Sequence, residues 1–123
     1  MRAQDLAAFR WALRRQKGLV PVNDRRKEPR YLPIGPMARA RVKLTGSAEP
    51  IDADVIDVSF SGLRLAVHSN LKPEQGTTCK IQLTTDGSQA LLLEGEIRWT
   101  EYHPLISIFG VLLEPGTITQ LSP

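Results

Sequence analysis

The sequence predicts a small all-β protein of six antiparallel strands, arranged as a barrel or a sandwich. An N-terminal helix and then an arginine-rich arm precede the strands. From residue 37 onward, apolar and polar residues alternate with period two, as in half-buried strands. Short segments rich in glycine, proline and aspartate separate these runs and predict turns. Near the N-terminus the apolar residues instead recur with helical spacing.

The helix is predicted over residues 3–17. Leu6, Phe9 and Leu13 form one apolar stripe, and Gly18 is suited to end the helix. A helix of about 15 residues is marginal in water by itself. We therefore expect it to dock on the rest of the protein or on a partner.

The next segment, residues 18–36, contains four prolines and predicts a loop or extended arm without regular structure. It adds to a marked charge asymmetry. Residues 1–43 hold 12 Lys/Arg and 3 Asp/Glu, a net charge of +9, whereas residues 44–123 hold 4 and 10, a net of −6, which together give +3. This asymmetry indicates either an anionic ligand near the N-terminus or a solubilising charged tail.

The strands follow the arm with short turns and no intervening helix, which favours an antiparallel barrel or sandwich. They are predicted at residues 37–44, 51–55, 63–67, 79–83, 91–100 and 106–113.

Length and composition exclude several classes of protein. With 123 residues the chain is expected to form one core. It has neither an apolar run of the roughly 20 residues that a membrane span needs nor the apolar core of a secretion signal. Cys79, the only cysteine, cannot form an intrachain disulfide and is expected to be a buried small side chain. We therefore expect a cytoplasmic protein without stable membrane insertion.

Two arginines on the arm, in Arg26-x-x-x-Arg30, form the first candidate site motif, and Arg25 directly precedes them. A guanidinium group carries a permanent charge and a planar set of donors, so it can bind phosphate or the O6 and N7 edge of guanine. The same spacing at Arg10 and Arg14 is interpreted as the solvated face of the helix.

The second motif is Asp57-x-Ser59-x-x-Gly62, at the end of the second strand. A carboxylate can accept hydrogen bonds from guanine N–H groups, and a serine hydroxyl can reach phosphate or base. Gly62 permits positive φ and close approach of the chain. The alternative is an ordinary Asp/Ser turn held by local side-chain to backbone bonds.

In combination, the two motifs resemble those of the PilZ domain family, R-x-x-x-R followed by [D/N]-x-S-x-x-G. Asp57 follows Arg30 by 27 positions, in the family order. The segments Gly95–Trp99 and Phe109–Val111 are similar to the late strands of the family. The resemblance covers residues 24–114 and implies a six-stranded β-barrel. It suggests a helix and linker over 1–23, a barrel domain over 24–116 and a short tail over 117–123.

The resemblance also implies a ligand, cyclic di-GMP, bound on the outer surface of the barrel under the arginine arm. Arg26 and Arg30 would hold phosphate or guanine, Asp57 and Ser59 would contact the other base or the backbone, and Gly62 would shape the turn. In the family, an arginine at the position of Arg25 tends to accompany an intercalated ligand dimer.

Two further residues are candidates near this site. Trp99 could stack on guanine, although it shares its strand parity with Leu91, Leu93 and Ile97, which fits a core residue equally well. Arg64 is expected to face outward near Gly62, either as a supporting charge contact or as an ordinary surface residue.

These features predict a cyclic di-GMP receptor or adaptor that acts on a protein partner, in motility, exopolysaccharide or virulence control. No enzyme is expected, because no nucleophile, base and orienting group assemble, and no metal ligands have suitable spacing. One alternative is a PilZ-like protein-interaction module without ligand. The other is a small nucleic-acid-binding barrel, which the acidic barrel half and the few aromatic residues disfavour.

Overall fold

The computed structural model describes residues 3–15, 19–21, 29–33, 35–69, 71–84 and 90–113. In this part of the chain, no helix is long and apolar enough to cross a membrane. The elements in chain order are α1 (Ala3–Arg15), β1 (Leu19–Pro21), β2 (Tyr31–Pro33), a 3₁₀ helix (Gly35–Ala38), β3 (Arg39–Leu44), β4 (Ile51–Val58), β5 (Gly62–Val67), β6 (Thr78–Thr84), β7 (Ala90–His103) and β8 (Ile106–Leu113).

Six strands close into a barrel, which decides between the two predicted architectures. Around the barrel the strand order is β3, β4, β5, β8, β7, β6, and β6 pairs back with β3. Every pairing is antiparallel. Closure leaves no free edge in the ring of strands, so the outer faces of neighbouring strands form a continuous surface.

Alternating side chains from all six strands fill the barrel interior. The fully buried residues include Val42 on β3, Leu65 on β5, Ile81 on β6, Leu93 on β7 and Phe109 on β8. The predicted period-two pattern is therefore confirmed for the inner face of these strands. The lone cysteine also lies inside the barrel, and its burial raises the pKa of the thiol to about 12.

The helix docks on the barrel of its own chain. Leu6, Phe9 and Leu13 are buried and join the barrel core. At the start of β7, the carboxylate of Asp5 accepts a hydrogen bond of 3.1 Å from the backbone N–H of Leu92. The predicted apolar stripe is confirmed, and burial against the barrel explains how so short a helix is stable.

The prediction of an irregular arm is wrong for two of its described segments. Leu19–Pro21 and Tyr31–Pro33 pair as two short antiparallel strands, and Tyr31 also pairs with Val58 at the end of β4. Both strands end at proline, which is tolerated because β1 lies at the sheet edge and Pro33 lies beyond Tyr31, where β2 pairs with β4. The 3₁₀ helix precedes β3, so the first barrel strand begins at Arg39 rather than at residue 37.

Candidate functional site

A β-bulge in β4 places Asp57 on the outer face of the barrel. Val55 pairs with Leu65 and Asp57 pairs with Arg64, so Ile56 is an extra residue in the ladder. Beyond such an extra residue, the alternation of inner and outer side chains is shifted by one position. Asp57 would have the inward parity of Val55 in a regular strand, and the bulge turns its carboxylate outward, to the same side as Arg64.

Both oxygens of the Asp57 carboxylate bind arginine. Arg30 Nη1 donates to Oδ1 at 2.6 Å, and Arg64 donates to Oδ2 through Nε at 2.7 Å and through Nη2. The Asp57 side chain is only 3% exposed, against 20% for Arg30 and 34% for Arg64. One buried carboxylate thus holds two guanidinium groups side by side, and the trio keeps a formal charge of +1.

The contact of Arg64 with Asp57 makes it part of this cluster rather than an isolated surface arginine. Its predicted outward orientation near Gly62 is confirmed. The base contact expected for Asp57 stays a prediction, since in this structure its carboxylate accepts hydrogen bonds from Arg30 and Arg64.

Ser59 and Gly62 form the turn between β4 and β5. The backbone N–H of Ser59 donates to the carbonyl of Gly62 at 2.8 Å, and its hydroxyl is 3.4 Å from the same oxygen. These are the local bonds of the Asp/Ser turn alternative. The expected positive φ at Gly62 is wrong. The expected close approach of the chain is confirmed, because a Cβ at Gly62 would overlap the carbonyl oxygen of Val111.

A second bulge, in β7, turns Trp99 outward. Ile97 pairs with Val111 and Trp99 pairs with Gly110, which leaves Arg98 as the extra residue. Trp99 is 39% exposed, so the core alternative for this residue is wrong. Its inward parity, shared with Leu93 and Ile97, ends at the bulge.

Gly110 provides the surface on which the indole lies. A Cβ at this position would come within 2.9 Å of Trp99 Cδ1, and closer still to Nε1 and Cε2. Because Gly110 has no side chain, the indole of Trp99 can pack directly over the backbone of β8. The sequence showed Gly110 only as part of a segment similar to the family, and its role depends on the partner strand.

Cross-strand pairing joins the two bulged regions into one row on the outer face. Asp57 pairs with Arg64, Arg64 with Gly110, and Gly110 with Trp99. Along this row lies an open groove of about 150 Å³. Its lining residues are Arg30, Ser59, Ser61, Gly62, Leu63, Arg64, Arg98, Trp99, Gly110, Val111 and Leu112.

The lining of the groove has a uniform charge. Arg30, Arg64 and Arg98 contribute three guanidinium groups, and none of the described residues that line it is acidic. Positive charge beside an exposed indole suits a ligand that carries both anionic and aromatic groups. Arg98 was not among the predicted site residues, because a strand pattern does not reveal that it occupies a bulge. Arg25 and Arg26 lie outside the described residues.

The helix reaches the same turn through its own pair of arginines. Arg10 Nε donates to the carbonyl of Phe60 at 3.0 Å, and the Arg14 guanidinium lies over the Phe60 ring at 5.4 Å. Phe60 stands between Ser59 and Ser61 in the second motif. The interpretation of Arg10 and Arg14 as a solvated face is wrong for Arg10, which is half-buried and bonded to the turn that borders the groove. Arg14 is exposed as expected, although its guanidinium also contacts this turn.

The described residues contain no cluster of histidine, cysteine and carboxylate side chains that could hold a metal ion.

Comparison with known proteins identifies the family. No curated protein matches the chain. The family model described as PilZ domain matches residues 24–122, which include both motifs and the whole barrel. The chain therefore belongs to the PilZ domain family, whose members as a class are cyclic di-GMP receptors.

Proposed function

We propose that this protein is a cyclic di-GMP receptor that transmits ligand binding to a protein partner. The observation that carries the proposal is the groove, along which Asp57 and Arg64 lie in one cross-strand row with an exposed indole, and Arg30 is bound to Asp57. Cyclic di-GMP has two anionic phosphates and two guanine bases. Guanidinium groups and an aromatic surface are the side chains that bind these two chemical groups.

The donors of the arginines support this assignment. A guanidinium group has five N–H donors in one plane. In the bonds to Asp57, Arg30 uses Nη1, and Arg64 uses Nε and Nη2, which leaves donors on each group for phosphate oxygens or for guanine O6 and N7. In this proposal Asp57 acts mainly by orienting the two arginines, and Trp99 stacks on a base.

The arm would complete the site. Arg25 and Arg26 belong to the same basic run as Arg30, whose guanidinium already lies at the groove. We expect Arg26 to bind the ligand together with Arg30. A contribution from Arg25 would favour an intercalated ligand dimer.

The contacts of α1 suggest how binding reaches a partner. Phe60 accepts the hydrogen bond of Arg10 and packs under Arg14, while its neighbours Ser59 and Ser61 line the groove. A ligand that moves the turn would therefore strain or release these helix contacts. Transmission through α1 gives a physical link from ligand to partner, whether the downstream process is motility, exopolysaccharide export or virulence control.

Calorimetric titration with cyclic di-GMP tests the proposal, with GTP and cyclic GMP as controls. We expect saturable binding of cyclic di-GMP with a Kd of about 1 μM or tighter, roughly −8 kcal/mol. The stoichiometry distinguishes one ligand from an intercalated dimer. Absence of both heat and thermal stabilisation at excess ligand would contradict the proposal and would favour a protein-interaction module.

Variants separate binding from folding. Arg26→Ala and Arg30→Ala, singly and together, are expected to abolish binding while the barrel stays folded, as circular dichroism would show. The matched control is Arg39→Ala, which removes an exposed arginine of β3 whose ion pair with Asp54 lies outside the groove lining. Tight binding by the double variant would contradict the assigned role of the arm.

A further inference from the structure

Arg98 occupies an unusual position in the barrel wall. It is the extra residue of the β7 bulge, between Ile97, which pairs with Val111, and Trp99, which pairs with Gly110. A bulged residue has no opposite residue in the ladder, and its side chain is directed differently from those of regular strand positions. Arg98 directly precedes the exposed Trp99 and lines the same groove.

The guanidinium of Arg98 is held less firmly than those of Arg30 and Arg64. Its Nη1 donates to Glu96 Oε2 at 3.1 Å, and the two side chains are 56% and 34% exposed. Ion pairs between exposed side chains contribute little, because water solvates both charges. Arg30 and Arg64 instead share the buried carboxylate of Asp57. Of the three arginines that line the groove, Arg98 is thus the one that an anionic ligand can recruit with the smallest loss.

We propose that Arg98 is a third ligand-binding arginine, which binds a phosphate of the nucleotide whose base stacks on Trp99, and that Glu96 competes with this phosphate. The inference rests on the proposed function of the groove. Base and phosphate are joined through one sugar, so a base on the indole brings its phosphate near the neighbouring residue of the strand. The ligand phosphate would replace the Glu96 carboxylate as the partner of Arg98.

This arrangement predicts effects of opposite sign for the two side chains of the ion pair. Arg98→Ala should weaken cyclic di-GMP binding by about 10- to 100-fold, as expected for loss of hydrogen bonds to a charged group. Glu96→Gln should strengthen binding by about two- to fivefold, because it removes the charge of a partly exposed competitor. A purely structural role of the pair would not make the second variant bind more tightly.

Isothermal titration of cyclic di-GMP into the full chain provides the test, with the melting temperature of each variant measured in parallel. Arg39→Ala and Asp54→Asn are matched controls, since they break another exposed Arg–carboxylate pair, of 3.4 Å, outside the groove lining. We expect both controls to bind as the unmodified protein does. We also expect the affinity of Arg98→Ala to depend less steeply on salt, because one charge contact that salt screens is lost.

The outcomes separate this inference from the function on which it rests. Lack of binding by the unmodified protein would overturn both. If the unmodified protein binds and Arg98→Ala binds equally well, Arg98 has no role and the receptor proposal stands. If Arg98→Ala binds weakly and Glu96→Gln binds no better than the unmodified protein, the competition is overturned.

Discussion

On each side of the groove a β-bulge turns one side chain to the outer face, but different interactions hold the two side chains in place. On one side, the bulge in β4 presents Asp57, which is almost fully buried beneath the two arginines that it binds. On the other side, the bulge in β7 presents Trp99, which lies over the backbone of Gly110 and remains 39% exposed. Ion pairs hold Asp57 and its arginines in place, whereas packing on the backbone of Gly110 holds the Trp99 indole.

This difference indicates a division between folding and binding. The buried carboxylate stabilises the fold by neutralising charge between Arg30 and Arg64, so its loss should disturb both stability and the site. The indole buries less of its surface, so its loss should affect the ligand more than the fold. Variants on each side test whether stability and affinity separate in this way.

The largest loss of stability is expected for Asp57→Asn. The substitution leaves Arg30 and Arg64 close together without the carboxylate that binds both. We expect the free energy of unfolding to fall by about 3 kcal/mol. Affinity for cyclic di-GMP should fall by about tenfold or more, since neither guanidinium keeps its orientation. Urea denaturation and calorimetric titration measure the two effects.

The control for this prediction is Asp54→Asn. Asp54 also contacts two basic side chains, Arg39 at 3.4 Å and His68 at 2.7 Å, but on an exposed surface. The Asp54→Asn substitution should lower the free energy of unfolding by about 0.5 kcal/mol or less. Equal losses for the two variants would show that burial does not distinguish Asp57.

An intermediate effect is expected for Gly110→Ala. The three atoms nearest to the added Cβ all belong to Trp99, so the indole has to move. We expect a loss of about 1 kcal/mol in the free energy of unfolding, because the ring can be displaced at about the cost of its own packing. In the Trp99→Ala background the same substitution should be nearly neutral, within about 0.3 kcal/mol, so the double-mutant cycle should give a coupling energy of about 1 kcal/mol. Additive effects would mean that the indole does not depend on Gly110.

The smallest effect on stability, with a clear effect on affinity, is expected for Trp99→Ala. It should lower the free energy of unfolding by less than about 1 kcal/mol. Loss of one stacking contact should weaken cyclic di-GMP binding by about tenfold. Trp11→Ala is the matched control, because Trp11 is exposed on α1 and does not line the groove. If both tryptophan variants bind equally well, the aromatic side of the groove has no part in recognition.

The alternating pattern predicted the strands well because the direction of each side chain in a regular strand depends only on its position along that strand. An apolar residue at every second position has to face the barrel interior, whatever the neighbouring strand is. The stripe of Leu6, Phe9 and Leu13 likewise predicted the buried face of α1. The candidate residues Arg30, Asp57 and Arg64, chosen from the family motifs and from strand parity, lie together in the structure.

The same reasoning was wrong where neighbouring elements decide the outcome. The arm pairs as β1 and β2, and Tyr31 also pairs with β4, which the prolines of the arm do not reveal. Arg10 and Arg14 contact Phe60 because α1 packs beside the turn after β4. Each of these contacts joins residues far apart in the chain, so no local pattern contains it.

The sequence by itself determined the strands, the helix stripe, the charge asymmetry and the motifs that indicate an anionic ligand. Only the tertiary structure decided which way Asp57 and Trp99 face. Both have inward parity along their own strands, and both face outward because Ile56 and Arg98 are extra residues relative to β5 and β8. A bulge is a mismatch in residue count between two paired strands, so it exists only once the strands have paired.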